Sequence, residues 1–217
     1  MTPCSYSELF DALATSGIKA VLRNYFTETS CINTTRVLLE VFRAYGLAAS
    51  AFPVRCMIFS RKFIERADRE QRLPEGDAEV RSWCAEDGVY SVGIGFGAPG
   101  MAADRWPGHL VVHAGKHYLL DATVDQANRP ARGICLPEMV LLDSVPLDFW
   151  RGGGAAVTTS PDGSAIRYEP DPANTSYRDF PGWQLRPHAE GAVFEEILWL
   201  LQRKGGLPAI RRKEGVA

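Results

Sequence analysis

Apolar residues recur at helical spacing through the first fifth of the chain and at alternating spacing through the middle. Leu9, Phe10, Leu13 and Ala14 form a first stripe, with Ser5 or Ser7 as the cap and a stop near Gly17. Ile18, Val21, Leu22, Tyr25 and Phe26 follow the i, i+3, i+4, i+7, i+8 pattern of a second amphipathic helix. Val37, Leu38, Val41, Phe42 and Tyr45 predict a third, closed by Gly46. Ser30 is its expected N-cap, which puts Cys31 at the first helical position.

After Gly46 the period changes. Leu47 to Phe59 (LAASAFPVRCMIF) reads as a strand that is apolar on both faces, with Pro53 predicting an edge or a bulge. Arg61 to Arg81 holds six basic and six acidic residues and predicts an exposed excursion, partly helical before Pro74, that could flank a cleft. Gly88 to Gly97 alternates, with Tyr90, Val92, Ile94 and Phe96 on one face and Ser91, Gly93 and Gly95 on the other. A bare face invites close packing, and the Cys31 helix is the element expected there.

His109 to Thr123 (HLVVHAGKHYLLDAT) carries two β-like runs around Ala114-Gly115-Lys116, a hairpin. Strands are expected near Met139 to Leu142 and at Ala165 to Tyr168, with loop over Gly152–Gly154 and Thr158–Gly163. Asp171 to Pro187 predicts irregular surface coil, and Ala192 to Gln202 a last helix. The expected organisation is one domain over 1–217: helical to about residue 46, sheet over about 47–170, then coil and helix.

Composition narrows the function classes. With 46% hydrophobic and 23% charged residues and a net charge of −2, nothing favours a nucleic-acid surface, and Arg211-Arg212-Lys213 reads as a solvated tail. No apolar run approaches the roughly 20 residues that span a bilayer. The N-terminal MTPCSYSELFDAL lacks the basic-then-apolar order of a signal peptide. Cys4, Cys31, Cys56, Cys84 and Cys135 have no framework spacing. Together these features predict reduced thiols in a cytoplasm.

Cys31 is the chemical candidate. A thiol at a helix start meets unpaired N–H groups and the positive end of the macrodipole, which favour the reactive thiolate. A three-residue loop, Ala114 to Lys116, would pair His113 with His117 and Val111 with Leu119, and would set His109 opposite Asp121. Odd loop length is the condition, because an even loop sends Asp121 to the other face. Leu110, Val112, Tyr118 and Leu120 would then pack into the core. A carboxylate beside an imidazole fixes its tautomer and stabilises the imidazolium, and the other ring nitrogen can take a thiol proton. Cys31, His109 and Asp121 would make a triad for acyl transfer. His113 or His117 could stand in for His109, and Asp125 or Asn128 for Asp121. The Cys31 backbone N–H, with Asn24 or Tyr25, is a candidate oxyanion donor. Trp83, Trp106 and Trp183 could bind an apolar or aromatic acyl group, or serve as core.

At these residues the chain resembles the transglutaminase-like branch of the papain-like cysteine enzymes. The resemblance rests on Cys31 with RVLLEVFRAYGLAASAFPV, then GHLVV, then KHYLLDAT, over about Ser30 to Thr123. It implies an α+β fold with the Cys helix packed on an antiparallel sheet. It also implies that Cys31, His109 and Asp121 act as nucleophile, base and orienter. Arylamine N-acetyltransferases share that core, but their Arg-Gly-Gly stretch before the cysteine is Glu28-Thr29-Ser30 here. No DxDxDG calcium loop occurs, and no cofactor is expected.

The leading expectation is a cysteine hydrolase or acyltransferase acting on a peptide, amide or small acyl substrate. The alternative is a binding or scaffold protein on the same fold with an inert triad. A zinc site from His109, His113 and His117 on one hairpin face is a third reading, although no CxxC or helical HxxxH pair accompanies it.

Overall fold

The computed structural model describes residues 4–26, 31–97, 106–184 and 191–210. The N-terminal helices follow their stripes. α1 (Tyr6–Thr15) starts from a capping box, in which Ser5 accepts from the Glu8 N–H while the Glu8 carboxylate accepts from the Ser5 N–H. α2 spans Ile18–Tyr25 and α3 spans Cys31–Ala44. Cys31 is the first described residue of its helix, and the expected Ser30 cap lies outside the described residues. Leu9, Leu13, Val37, Leu38, Val41 and Phe42 bury against the C-terminal helix α7 (Ala192–Arg203) and one sheet face.

The sheet has seven strands: β1 (Ala49–Phe59), β2 (Ser91–Ile94), β3 (His109–Ala114), β4 (Tyr118–Asp121), β5 (Val140–Leu142), β6 (Ala156–Thr159) and β7 (Ala165–Pro170). Their order is β5-β4-β3-β1-β7-β6, with β2 also on β1, and every pairing is antiparallel. The fold is thus α+β. Among the described residues no helix is long and apolar enough to cross a membrane.

The long β1 explains the strand expected to be apolar on both faces. Ala49 to Val54 pair with β3, and Val54 to Phe59 pair with β7. Pro53 is therefore neither at a sheet edge nor in a bulge. It sits in a central strand at the end of the β7 ladder, where its carbonyl accepts from the Asp171 N–H at 3.0 Å and, lacking an N–H, it makes no reciprocal bond. The interior faces of β1, β3 and β7 enclose a second apolar cluster that includes Phe52, Val54, Cys56, Val111, Leu119 and Tyr168.

The charged stretch folds as a surface pair, α4 (Arg61–Glu70) and α5 (Gly76–Trp83), over its own small cluster of Phe63, Ala67, Trp83 and Val89. β6 overlaps, at Thr158 and Thr159, a stretch expected to be loop. Its register on β7 is Thr158 to Ile166, and its sequence AVTT supplies one buried residue, Ala156. So small an apolar signal sits below what alternation can reveal. α3 packs chiefly on β3 and β1 and not over the glycine face of β2. That face is filled from within. A side chain at Gly95, where φ is +85°, would lie 2.9 Å from both the His109 N and the Val54 O. Only glycine allows the chain to pass this close to the start of β3.

Candidate active site

The hairpin loop has the odd length that a shared face requires, but the register differs from the expected one. Val112 pairs with Leu120, His113 with Leu119 and Ala114 with Tyr118, so the loop is Gly115 to His117. His117 is consequently an exposed turn residue and not the partner of His113. The pairing is displaced by two residues, which preserves faces because side chains alternate with period two. His109 and Asp121 are therefore diagonal neighbours on one face. Their side chains close the gap: His109 Nε2 lies 2.7 Å from Asp121 Oδ2, with both residues fully buried. Leu110, Val112, Tyr118 and Leu120 turn to the opposite face, as alternation predicts.

Asp121 is held on every side. Oδ1 accepts from the Thr123 N–H at 2.9 Å and from the Thr123 hydroxyl at 3.4 Å. Oδ2 also accepts from the Tyr168 hydroxyl at 3.1 Å. Burial disfavours the carboxylate, but the His109 charge and these hydrogen bonds hold its pKa below the usual value. For His109 burial pulls the pKa down, while the Asp121 charge and hydrogen bond, followed by Cys31, raise it above that of free imidazole. Each partner thus stabilises the charged form of the other.

Cys31 completes the arrangement. Its thiol lies near enough to the His109 ring to add to the rise in the ring's pKa, after Asp121. The helix is pinned beside the strand by the Thr35 hydroxyl, which donates to the Leu110 carbonyl at 3.1 Å. Around the thiol lie Trp106, Leu110 and Tyr177, with Ile32, Phe180 and Trp183 at the margin. Trp106 is folded back onto Gly108, where any side chain would overlap the indole. Its Nε1–H donates to Asn174 Oδ1 at 2.8 Å. Tyr177, Phe180 and Trp183 belong to Asp171–Pro187, the stretch expected to be irregular surface coil and a wall of the cleft. There a 3-10 turn (Ser176–Asp179) and the short α6 (Pro181–Gln184) bring aromatic rings to the cysteine.

Several expected residues lie elsewhere. Trp83 is core of the α4–α5 pair, against Phe63 and under the Arg66 guanidinium, so it does not line this site. Asn24 and Tyr25 are exposed at the end of α2, and among the described residues neither hydrogen-bonds to Cys31 or His109. Asp125 instead pairs with Lys19 and Arg23, each at 2.7 Å. The Asn128 side chain accepts from the Leu136 N–H at 2.5 Å. His113 is stacked on Trp150 with ring centroids 3.7 Å apart. With His117 in the turn, the three histidines do not converge, and among the described residues no three His, Cys, Asp or Glu side chains gather as a metal site.

Two contacts had no sequence signal. Tyr168 is 47 residues from the carboxylate it supports. Gln126, on the 3-10 turn Val124–Ala127, places Nε2 3.2 Å from His109 Nδ1. Both are single polar residues brought in by topology. No family model, curated protein or solved structure matches the chain.

Proposed function

We propose that the protein is a cysteine-dependent acyl-transfer enzyme of the transglutaminase-like, papain-like kind, with Cys31 as nucleophile, His109 as base and Asp121 as orienter. The observation that carries this reading is the buried His109–Asp121 pair with Cys31 acting on the same ring. A buried ion pair is costly to assemble and contributes little net stability, so its use is better sought in chemistry.

Asp121 binds Nε2, which leaves Nδ1 for the thiol. The Cys31 proton passes to Nδ1 as sulfur attacks a carbonyl carbon, and the carbonyl π pair moves to oxygen. Collapse expels the leaving group, which takes the proton from the imidazolium. Water or an amine, deprotonated by His109, then attacks the thioester. The C–S bond breaks and Cys31 recovers its proton. The substrate is an amide, peptide or thioester, with Trp106 and Tyr177 offering apolar surface to the acyl group. The cycle needs no cofactor.

The burial of Cys31, 7% exposed, favours the second reading, a binding protein with an inert triad. Alkylation separates the two. Iodoacetamide at neutral pH should label Cys31 well ahead of Cys4, Cys56, Cys84 and Cys135. Equal, slow labelling of all five would sink the enzyme reading. Against a responsive substrate, Cys31→Ala and His109→Ala should abolish turnover, and Asp121→Ala should leave a trace. Full activity in His109→Ala would remove the assignment.

A further inference from the structure

After β7 the chain returns over the Cys31 thiol as a strap, residues 172–184. The strap is mostly exposed, but Tyr177 is turned inward and buried. Its ring meets Trp106 edge-on, with centroids 5.5 Å apart, and Trp183 at 4.8 Å. With Leu110 these rings pack around Cys31 and leave it 7% exposed. A carbonyl carbon has to come within about 3–3.5 Å of the sulfur to react. The aromatic roof must therefore move before an acyl group can settle on the thiol.

The strap is held down unevenly. Its backbone bonds are local: the Arg178 N–H donates to the Thr175 carbonyl at 3.1 Å, Phe180 to Tyr177 at 3.2 Å and Trp183 to Phe180 at 2.9 Å. Among the described residues, every hydrogen bond that ties the strap to a remote part of the chain is made by the Asn174 side chain. Oδ1 accepts from the Trp106 Nε1–H at 2.8 Å, and Nδ2 donates to the Pro107 carbonyl at 2.9 Å. Both partners lie just before β3, so one amide staples the strap to the strand that carries His109. The Ser176 hydroxyl, 3.3 Å from Oδ1, and the Asp171 carboxylate, 3.3 Å from Nδ2, orient that amide. The other attachments are packing, of the aromatic rings and of the Arg36 guanidinium over Trp183. Ahead of the strap the Asp171 N–H is bonded to the Pro53 carbonyl at 3.0 Å, which fixes that end as a hinge.

We propose that Asn174 is the latch of this strap and governs access to Cys31. With the amide on Trp106 and Pro107 the site rests closed. With those two bonds broken the strap swings from its Asp171 end and lifts Tyr177 off the thiol. The inference rests on the acyl-transfer reading above for its use, because access matters only to a sulfur that reacts. The latch suits a closed resting state that opens at small cost. Two hydrogen bonds between neutral groups are directional enough to fix the strap in one place, and each contributes little enough to be exchanged for water. The apolar surface of Trp106 and Tyr177 freed by opening is the surface that an incoming acyl group covers.

Alkylation of the full chain reads the latch, because the cysteines serve as controls for one another. Labelling by iodoacetamide is followed at each cysteine by peptide mass spectrometry. Two variants remove the latch: Asn174→Ala, and Asn174→Leu, which keeps the shape of the amide and none of its hydrogen bonds. Each should speed Cys31 labelling by about 10-fold, the scale of two lost hydrogen bonds between neutral groups. Cys4 and Cys56, buried elsewhere, should keep their wild-type rates. Cys31 labelling that is selective but no faster in either variant than in wild type would overturn the latch and leave the acyl-transfer reading standing. Acceleration of Cys4 and Cys56 together with Cys31 would also overturn it, because Asn174 would then hold the whole fold and not the strap. Cys31 that labels no faster than the other four, in wild type and in both variants, would overturn the acyl-transfer reading and the latch with it.

Discussion

His109 and His113 stand on the same face of β3, four residues apart, and the protein treats them in opposite ways. His113 is half-buried, stacked on Trp150, with Nε2 unpartnered, and burial lowers its pKa. His109 is fully buried, yet its pKa is raised, because burial is outweighed by a carboxylate at 2.7 Å and reinforced by Cys31. Burial by itself neutralises a histidine. What orients the ring and favours its protonated form is a carboxylate held by its own donors. The strand brought two imidazoles to one face, and only the end next to β7 and the Val124–Ala127 turn supplied such a carboxylate.

The largest expected effect comes from erasing that difference. Asp121→Ala leaves His109 buried without its partner and should cost about 3–5 kcal/mol in urea unfolding, the usual penalty for breaking a buried pair from one side. Gly95→Ala attacks the same end from the backbone. A methyl group there adds the left-handed penalty of about 1–2 kcal/mol and meets two main-chain atoms at 2.9 Å. It should also slow the proposed acyl transfer by displacing His109. Tyr168→Phe removes one donor from the Asp121 carboxylate and should cost about 1.5–3 kcal/mol, the range for hydrogen bonds to charged groups. At the other end, His113→Phe keeps the stack on Trp150 and removes an unpartnered nitrogen, so its stability should stay within about 0.5 kcal/mol of wild type.

The two rings also differ in their pH dependence. A raised folded pKa means that His109 contributes stability in full below the unfolded value of 6.5, and that this is lost as pH rises through about 10. Asp121, with its lowered pKa, contributes above its unfolded value of 3.8 and loses this in acid. The ion pair should therefore be worth most from about pH 4 to 6.5 and decline above. His113, with its lowered pKa, opposes folding slightly when acid protonates it. NMR titration of the two imidazoles should show His113 titrating below its usual range and His109 above it. Asp121→Asn should bring His109 down and leave His113 unchanged. Two rings that titrate together would break the comparison.

Legibility in the sequence varied from one element to the next. The helical stripes of α1, α2, α3 and α7 were readable because each buries a face at 3.6-residue spacing. The shared face of His109 and Asp121 was readable as a parity. The register was off by two, and parity survives a slip of two where it would not survive a slip of one. β6 was not readable, since AVTT buries little. Trp83 looked like a cleft residue because a tryptophan in a charge run has the same local signature whether it lines a site or seals a small core.

The sequence by itself determined which residues could do chemistry: a cysteine at a helix start, a histidine and an aspartate with matching faces on a hairpin, and a turn of odd length. These follow from local periodicity and from contacts between neighbours in the chain. The tertiary structure decided everything that crosses strands. It chose His109 over His113, gave Asp121 the Tyr168 hydroxyl, brought Tyr177 and Trp106 to the thiol and set Gln126 against Nδ1. The reason is physical. A pKa, an orientation or a donor's position depends on the nearest atoms in space, and around a buried side chain most of those atoms come from remote segments whose own sequences carry no mark of the meeting.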